Sequence, residues 1–312
     1  MTVPAWAWAA FIAFVVAVLL LDLFVLHRRA QHVSLAEAAA WSAVWIAVGL
    51  GFGALLWSWR GGDVAQAYLA GYLIEKSLSL DNVFVFTVIF SMFAIPPRYQ
   101  HRVLMAGIIG ALAMRAAFIA GGSALLHSFH AAVYVFGAVL LWTALRMLRP
   151  GGQIHPGRSV PRLIQRVLPA TDQLHGQRFL VRERGRWVAT PLLTALIVVE
   201  AADVMFAVDS IPAIFAVTTD PFVVFTSNVF AILGLRALYF LLAGAVGRFR
   251  YLRAGLSLIL AGAAVKLLLS DIYAIPGWAS PAFIASVLAV VAVMSVLEGR
   301  SREPVTVAGQ AL

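Results

Sequence analysis

The stretch Tyr72-Leu73-Ile74-Glu75-Lys76-Ser77-Leu78-Ser79-Leu80-Asp81-Asn82-Val83-Phe84-Val85-Phe86 decides how the chain is read. It lies inside an otherwise apolar run of about 28 residues, from about 66 to 93, and ~20 are enough to cross a bilayer as a helix. Two carboxylates, an ammonium, an amide and two hydroxyls stand near its middle. Charge at that depth costs at least ~2.5–3.5 kcal/mol per residue, so it is seldom present without a role. An internal salt bridge that only ties helices together is the plainer reading. A second copy of the pattern argues against it.

The chain around this stretch is that of a membrane protein. Hydrophobic residues make up 62% of the 312 positions and charged residues 12%, and the mean hydropathy is +0.92. Soluble domains carry roughly 25% charged residues. Nine hydrophobic segments are read at about 5–26, 39–59, 66–94, 103–123, 125–148, 190–217, 221–246, 252–270 and 280–297. The expected fold class is all-α and polytopic, with about nine transmembrane helices. The first segment lacks a basic flank and a small-residue cleavage site, so it is expected to be a retained span.

The net charge of +9 would suit a nucleic-acid binder, but the positions of the cations explain it without one. Arg28, Arg29, Arg98, Arg102, the arginines from 146 to 186, Arg248, Arg250, Arg253, Arg300 and Arg302 all fall on one side. The other side holds Arg60 with Asp63, Asp220 and Asp271. The positive-inside rule then places the N-terminus outside and the C-terminus in the cytoplasm. Trp6, Trp8, Trp57, Trp59 and Trp278 fit an aromatic belt on the outer side. The chain has no cysteine, which excludes disulfides, thiolate metal sites and cysteine nucleophiles.

Residues 190–217 carry the second copy. Glu200-Ala201-Ala202-Asp203 leads to Asp209-Ser210-Ile211-Pro212. With Asp209 set against Asp81, Asp203 falls opposite Glu75, six residues apart in both copies. Each second carboxylate is followed by a small polar residue, Asn82 or Ser210. Downstream, Ala113-Met114-Arg115-Ala116-Ala117-Phe118 matches Gly234-Leu235-Arg236-Ala237-Leu238-Tyr239. The reading divides the chain into two N-terminal helices (1–65), a first three-helix unit (66–148), a basic cytoplasmic loop (149–189), a second three-helix unit (190–270), a last helix (271–300) and a tail (301–312). Three spans per unit is odd, so the second unit must run inverted. This is the plan of secondary transporters that bind at the midplane between repeats.

Six residues subtend about 600° on a regular helix, so the paired acids would sit roughly 120° apart. They can converge if the helix is unwound between them, and segments of about 28 residues have slack for that. Pro212 supports it in the second, because it frees the Val208 carbonyl. Five acids (Glu75, Asp81, Glu200, Asp203, Asp209) then face four bases (Lys76, Arg115, Arg236, Lys266). The bases are read as charge-compensating or proton-coupling groups. The excess carboxylate calls for a cation, and oxygen donors select Mn2+, Ca2+ or Mg2+. Asn82, Ser77, Ser79, Ser210, Asn228 and the Val208 carbonyl offer further oxygens. Met205 offers a thioether that would favour Mn2+; simple packing is its plainer role. No tightly bound cofactor is expected. The ion is cargo, and acids not holding it would carry protons.

Remaining features read more plainly. Asp22 is expected to meet a helix end or a base, and His127 and His130 to be solvated. Residues 160–168 would form a basic surface helix, and residues 179–188 a hairpin turning near Gly185. The loop 149–189 reads as a basic linker and bilayer anchor before it reads as a partner-docking site. No Gly-x-Gly-Asp or His-Glu-x-x-His motif is present, so an intramembrane hydrolase is disfavoured and no enzyme activity is expected.

Three stretches resemble the signatures of the TerC/Alx family. They are Gly71 to Asn82, Phe206-Ala207-Val208-Asp209-Ser210-Ile211-Pro212-Ala213-Ile214-Phe215-Ala216, and Phe225-Thr226-Ser227-Asn228 through Arg236 to Phe240. The resemblance covers nearly the whole chain. It implies a bacterial inner-membrane protein of a group named for tellurite resistance. Its members are mostly viewed as metal-ion exporters, chiefly for Mn2+, within a larger group that includes the lysine exporters. The family acids fall on Glu75, Asp81, Glu200, Asp203 and Asp209. Ala202 departs from the Thr or Ser usual there. The function expected is proton-coupled export of Mn2+ or a related divalent ion, serving metal homeostasis. The competing readings are a scaffold for soluble stress-response proteins and an exporter of amines or amino acids.

Overall fold

The structure is a computed structural model and describes residues 3–21, 34–129, 131–148, 169–171, 173–183, 185–242, 251–269, 272–273, 275–276 and 278–300. Ten helices and one hairpin are found among them: α1 (Ala5–Leu21), α2 (Leu35–Arg60), α3 (Gly62–Met92), α4 (Pro97–Ser128), α5 (Ala132–Leu148), β1 (Leu180–Glu183), β2 (Arg186–Ala189), α6 (Pro191–Phe215), α7 (Pro221–Leu233), α8 (Leu235–Leu242), α9 (Leu252–Leu268) and α10 (Ala279–Arg300). Each of the nine hydrophobic segments coincides with a helix, the seventh with the bent pair α7–α8. By length and composition α2, α4 and α6 can cross a membrane, and α7–α8 counts as one further span bent by 40°. Helix α3 carries more charge, but its 31 residues extend about 46 Å.

Local chemistry sets the helix starts. Ser34 caps α2, its hydroxyl accepting from the Glu37 amide at 3.2 Å. Pro97, Pro191 and Pro221 open α4, α6 and α7, where a missing N–H costs no helical bond. Asp220 caps α7, accepting from the amides of Phe222 and Val223. Arg60, at the end of α2, donates to the other Asp220 oxygen at 2.7 Å.

That pair fixes one end of the bundle, with the end of α2 beside the start of α7. The opposite end carries the hairpin, where Arg102 of α4 stacks over Phe179 and reaches Gln177. Helix α3 therefore runs from the Arg60 end to the hairpin end, and α6 runs back. Likewise α4 starts at the hairpin end and α7 at the Arg60 end. The two units are inverted, and their packing is reciprocal. Helix α3 lies on α7 as α6 lies on α4, α5 meets α6 as α9 meets α3, and α5 pairs closely with α9. The hairpin itself is antiparallel, pairing Val181 with Val188 and Arg182 with Trp187; Gly185 at its turn has φ +81°, a conformation that favours glycine.

The structure corrects one expectation. Neither α3 nor α6 unwinds between its acids; both are continuous helices, and α6 carries Pro212 within it. The break lies instead at Gly234, between α7 and α8. A side chain there would fall 2.9 Å from Lys76 Nζ and from Trp45 Cβ. Backbone there must stay bare for α2 and α3 to approach. The proposed surface helix at 160–168, Asp22, His130 and the tail 301–312 lie outside the described residues, as does the His127 side chain.

Candidate ion-binding site

Arg115 of α4 is 1% exposed and is the largest fully buried side chain among the described residues. Its guanidinium is surrounded by four residues from three other helices. Nη1 donates to Glu75 Oε1 of α3, and to Ser210 Oγ of α6 and Asn228 Oδ1 of α7, each at 3.3 Å. Nη2 and Nε grip Asp203 Oδ1 and Oδ2 of α6 at 3.0 and 3.2 Å. Asn228 Nδ2 then donates to Glu75 Oε2 at 3.1 Å. The Asp203 contact is the planar two-bond fork that guanidinium makes with carboxylate. All four carboxylate oxygens have a donor, the condition under which buried charge is tolerated.

Continuous helices bring these groups together because each acid meets a different neighbour. On α6, Asp203 points to α4. Asp209, about 120° around, instead accepts from Thr143 Oγ1 of α5 at 2.9 Å. Glu200 lies one turn from Asp203 toward the hairpin end. Its carboxylate fills the space beside Gly110 of α4 and lies near Gly107. Glu200 Oε2 is buried with no hydrogen-bond partner. On α3, Asn82 follows Glu75 by seven residues, nearly two full turns on the same face. It is buried, and its Oδ1 also has no partner. The side chain of Asp81 lies outside the described atoms.

Other expected residues are dispersed. Lys76 Nζ donates to the Ala231 carbonyl at 3.3 Å, near the end of α7, where helical carbonyls lose their amide donors. Arg236 Nη1 lies 3.5 Å from His101 Nδ1 of α4. Lys266 Nζ donates to Ser280 Oγ at 2.7 Å, on the seam of α9 and α10. Val208 is 44% exposed, and Met205 is half-buried. Ser77 and Ser79 bond back to the carbonyls of Leu73 and Glu75. Among the described residues no three acidic or histidine side chains form a ready metal cage.

The profile of the TerC integral membrane protein family matches residues 60–303. The chain belongs to the TerC family of integral membrane proteins. It is 50% identical over 295 residues to an uncharacterized membrane protein of Myxococcus xanthus, covering 94% of this chain and 92% of that one. It is 46% identical over 300 residues to the "Putative membrane-bound redox modulator Alx" of Photorhabdus laumondii, covering 93% and 94%. It is 47% identical over 280 residues to the Escherichia coli K12 protein of the same name, covering 86% and 87%. No solved structure gives a significant match.

Within this TerC chain the matched span contains every helix of the two units and all the groups around Arg115. Sequence reading missed Thr143, the donor to Asp209. A signal was present, since Thr143 is the lone hydroxyl between Phe136 and Met147 of an apolar helix. It also missed Gly107 and Gly110, whose bare backbone makes room for Glu200.

Proposed function

We propose that this TerC protein is a membrane transporter that exports Mn2+, or a related divalent cation, in exchange for protons. The observation that carries the reading is the meeting of Glu75 from the first unit with Asp203 from the second. They meet at one buried centre beside the oxygens of Ser210 and Asn228. Carboxylate, hydroxyl and amide oxygens are the donors that hard divalent cations take, and the junction of inverted repeats is where secondary transporters bind. Glu200 and Asp209, which the Arg115 fork does not hold, are the carboxylates free to exchange protons. We read the protein as non-enzymatic, with no resident cofactor. We place it in the bacterial inner membrane with the hairpin end in the cytoplasm, because the arginines gather there.

The name of the Alx relatives speaks of redox modulation. This chain has no cysteine, so it offers no thiol for exchange; a redox effect would arise through the metal it moves. A docking role for the loop 149–189 is a second reading. It is favoured by the exposed Trp187 and Leu180, which share one face of the hairpin with Arg182. Uptake of Mn2+ into inside-out vesicles under a pH gradient tests the transport reading, with lysine and a panel of divalent ions as alternatives. Asp81→Asn and Asp209→Asn should each reduce uptake; undiminished uptake in both sinks it. Deleting the hairpin should leave flux intact. Loss of resistance with flux intact would favour docking.

A further inference from the structure

Arg115 belongs to the first unit, yet most of its contacts are to the second. Asp203 and Ser210 lie on α6 and Asn228 on α7, while Glu75 on α3 comes from its own unit. A divalent ion needs about six oxygens and would draw on the same carboxylates. With the fork closed, none of the four carboxylate oxygens is left without a donor. The ion and the guanidinium therefore compete for one pair of acids.

We infer that Arg115 is the counter-cation of the empty carrier, standing on Glu75 and Asp203 in place of the transported ion and yielding them when the ion binds. This rests on the transport reading. A carrier that returns without the metal ion, with its protons on Glu200 and Asp209, would otherwise bring two uncompensated carboxylates through a span, where charge is costly. Protons could neutralise them only at the pH where both acids bind one. Guanidinium stays charged at every physiological pH, so the return step does not depend on protonation of these two acids. Arg115 also joins the units in the empty state, as an ion between Glu75 and Asp203 would join them in the loaded state.

Competition sets the expected kinetics. Apparent affinity falls in proportion to the fraction of carrier whose fork is open. Removing the guanidinium raises that fraction to one and deprives only the empty form of its counter-charge. In Arg115→Gln, half-saturating Mn2+ should fall about tenfold or more. Mn2+/Mn2+ exchange, which never needs the empty form to cross, should persist at close to the wild-type rate per folded protein. Net Mn2+ flux should fall by about an order of magnitude or more, because the returning form carries uncompensated charge. Arg115→Lys keeps the charge without the fork and should give intermediate values.

The experiment compares radiolabelled Mn2+ exchange with net Mn2+ flux in proteoliposomes of the full chain, normalised to protein that elutes as a monodisperse peak. Persistent exchange with lost net flux supports the inference. Equal loss of exchange and net flux, or half-saturation that rises, overturns it and leaves Arg115 a structural strut. If Arg115→Gln does not fold, Arg115→Lys decides on the same criterion: half-saturating Mn2+ no lower than wild type overturns the inference. No Mn2+ flux of either kind in the wild-type protein overturns the transport reading itself.

Discussion

Replacing Gly110 by alanine separates the position of Glu200 from the stability of the bundle. A methyl built on Gly110 would overlap Glu200 Oε1 and lie 2.5 Å from Cδ and 2.6 Å from Oε2, so the carboxylate must leave. That atom group is the far end of a side chain with three torsions, and Oε2 gives up no hydrogen bond when it moves. Swinging clear with a torsion pushed about 30° off its rotamer costs about 0.5–1.5 kcal/mol. Alanine in a helix interior returns about 0.5–1 kcal/mol relative to glycine. The two nearly cancel, so the folded state should stay within about 1 kcal/mol of wild type. Gly137→Ala provides the contrast. Its methyl would lie 2.7 Å from both Leu268 Cγ and Cδ2, in a seam of packed apolar groups, and overpacking of that kind costs about 1–3 kcal/mol. If Glu200 serves ion passage from where it sits, Gly110→Ala should lower Mn2+ export as far as Glu200→Gln does. Thermal melting in detergent and Mn2+ efflux from loaded cells read the two effects. A melting loss for Gly110→Ala as large as that of Gly137→Ala refutes the view that the notch holds a movable carboxylate. Wild-type export in Gly110→Ala, alongside defective Glu200→Gln, refutes the importance of its position.

Other perturbations follow from the same contacts. Arg115→Met leaves two buried carboxylates without their cation and should destabilise the fold by about 3–5 kcal/mol. The triple change with Glu75→Gln and Asp203→Asn should recover most of that loss, and failure to recover in thermal melts would contradict a charge-based origin. Thr143→Val removes the hydroxyl that donates to Asp209. It should cost about 1 kcal/mol and reproduce part of the Mn2+ sensitivity of Asp209→Asn in growth assays. Lys76→Met leaves the Ala231 carbonyl unsatisfied beside the bend and should cost about 1–3 kcal/mol; an unchanged melting temperature would count against Lys76 as a cap.

The helices were legible because hydrophobic length alone reports a span, and the hairpin because Gly185 sits between short alternating strands. The inversion was legible from counting spans, and end contacts such as Arg60 with Asp220 bear it out. Local unwinding was not a sound expectation. It assumed that the acids in each pair must face one another, whereas Asp203 and Asp209 diverge to α4 and α5. What the spacing could not reveal was the supply of partners from other helices: Arg115 and Asn228 reach Glu75 from 40 and 153 residues away. The bend at Gly234 was equally hidden. Nothing local marks that glycine; the close approach of Trp45 and Lys76 does.

The pairing of charges is less even than their count. Five acids against four bases leave an excess of one in the sequence. In the folded chain Lys76 is bonded to a carbonyl and Lys266 to a hydroxyl, and neither forms an ion pair with a carboxylate among the described side chains. The Arg115 centre is itself one charge short, with Glu75 and Asp203 on a single guanidinium. Stability alone would favour a neutral core, since buried ionic groups of this kind are often improved by apolar replacement. The transport reading accounts for Glu75, Asp203 and Glu200 being kept buried close to one guanidinium; a strut alone does not. If Glu75→Gln and Asp203→Asn together raise the melting temperature while abolishing Mn2+ flux, the charge is kept for transport; if they lower it and leave flux intact, it is kept for the fold.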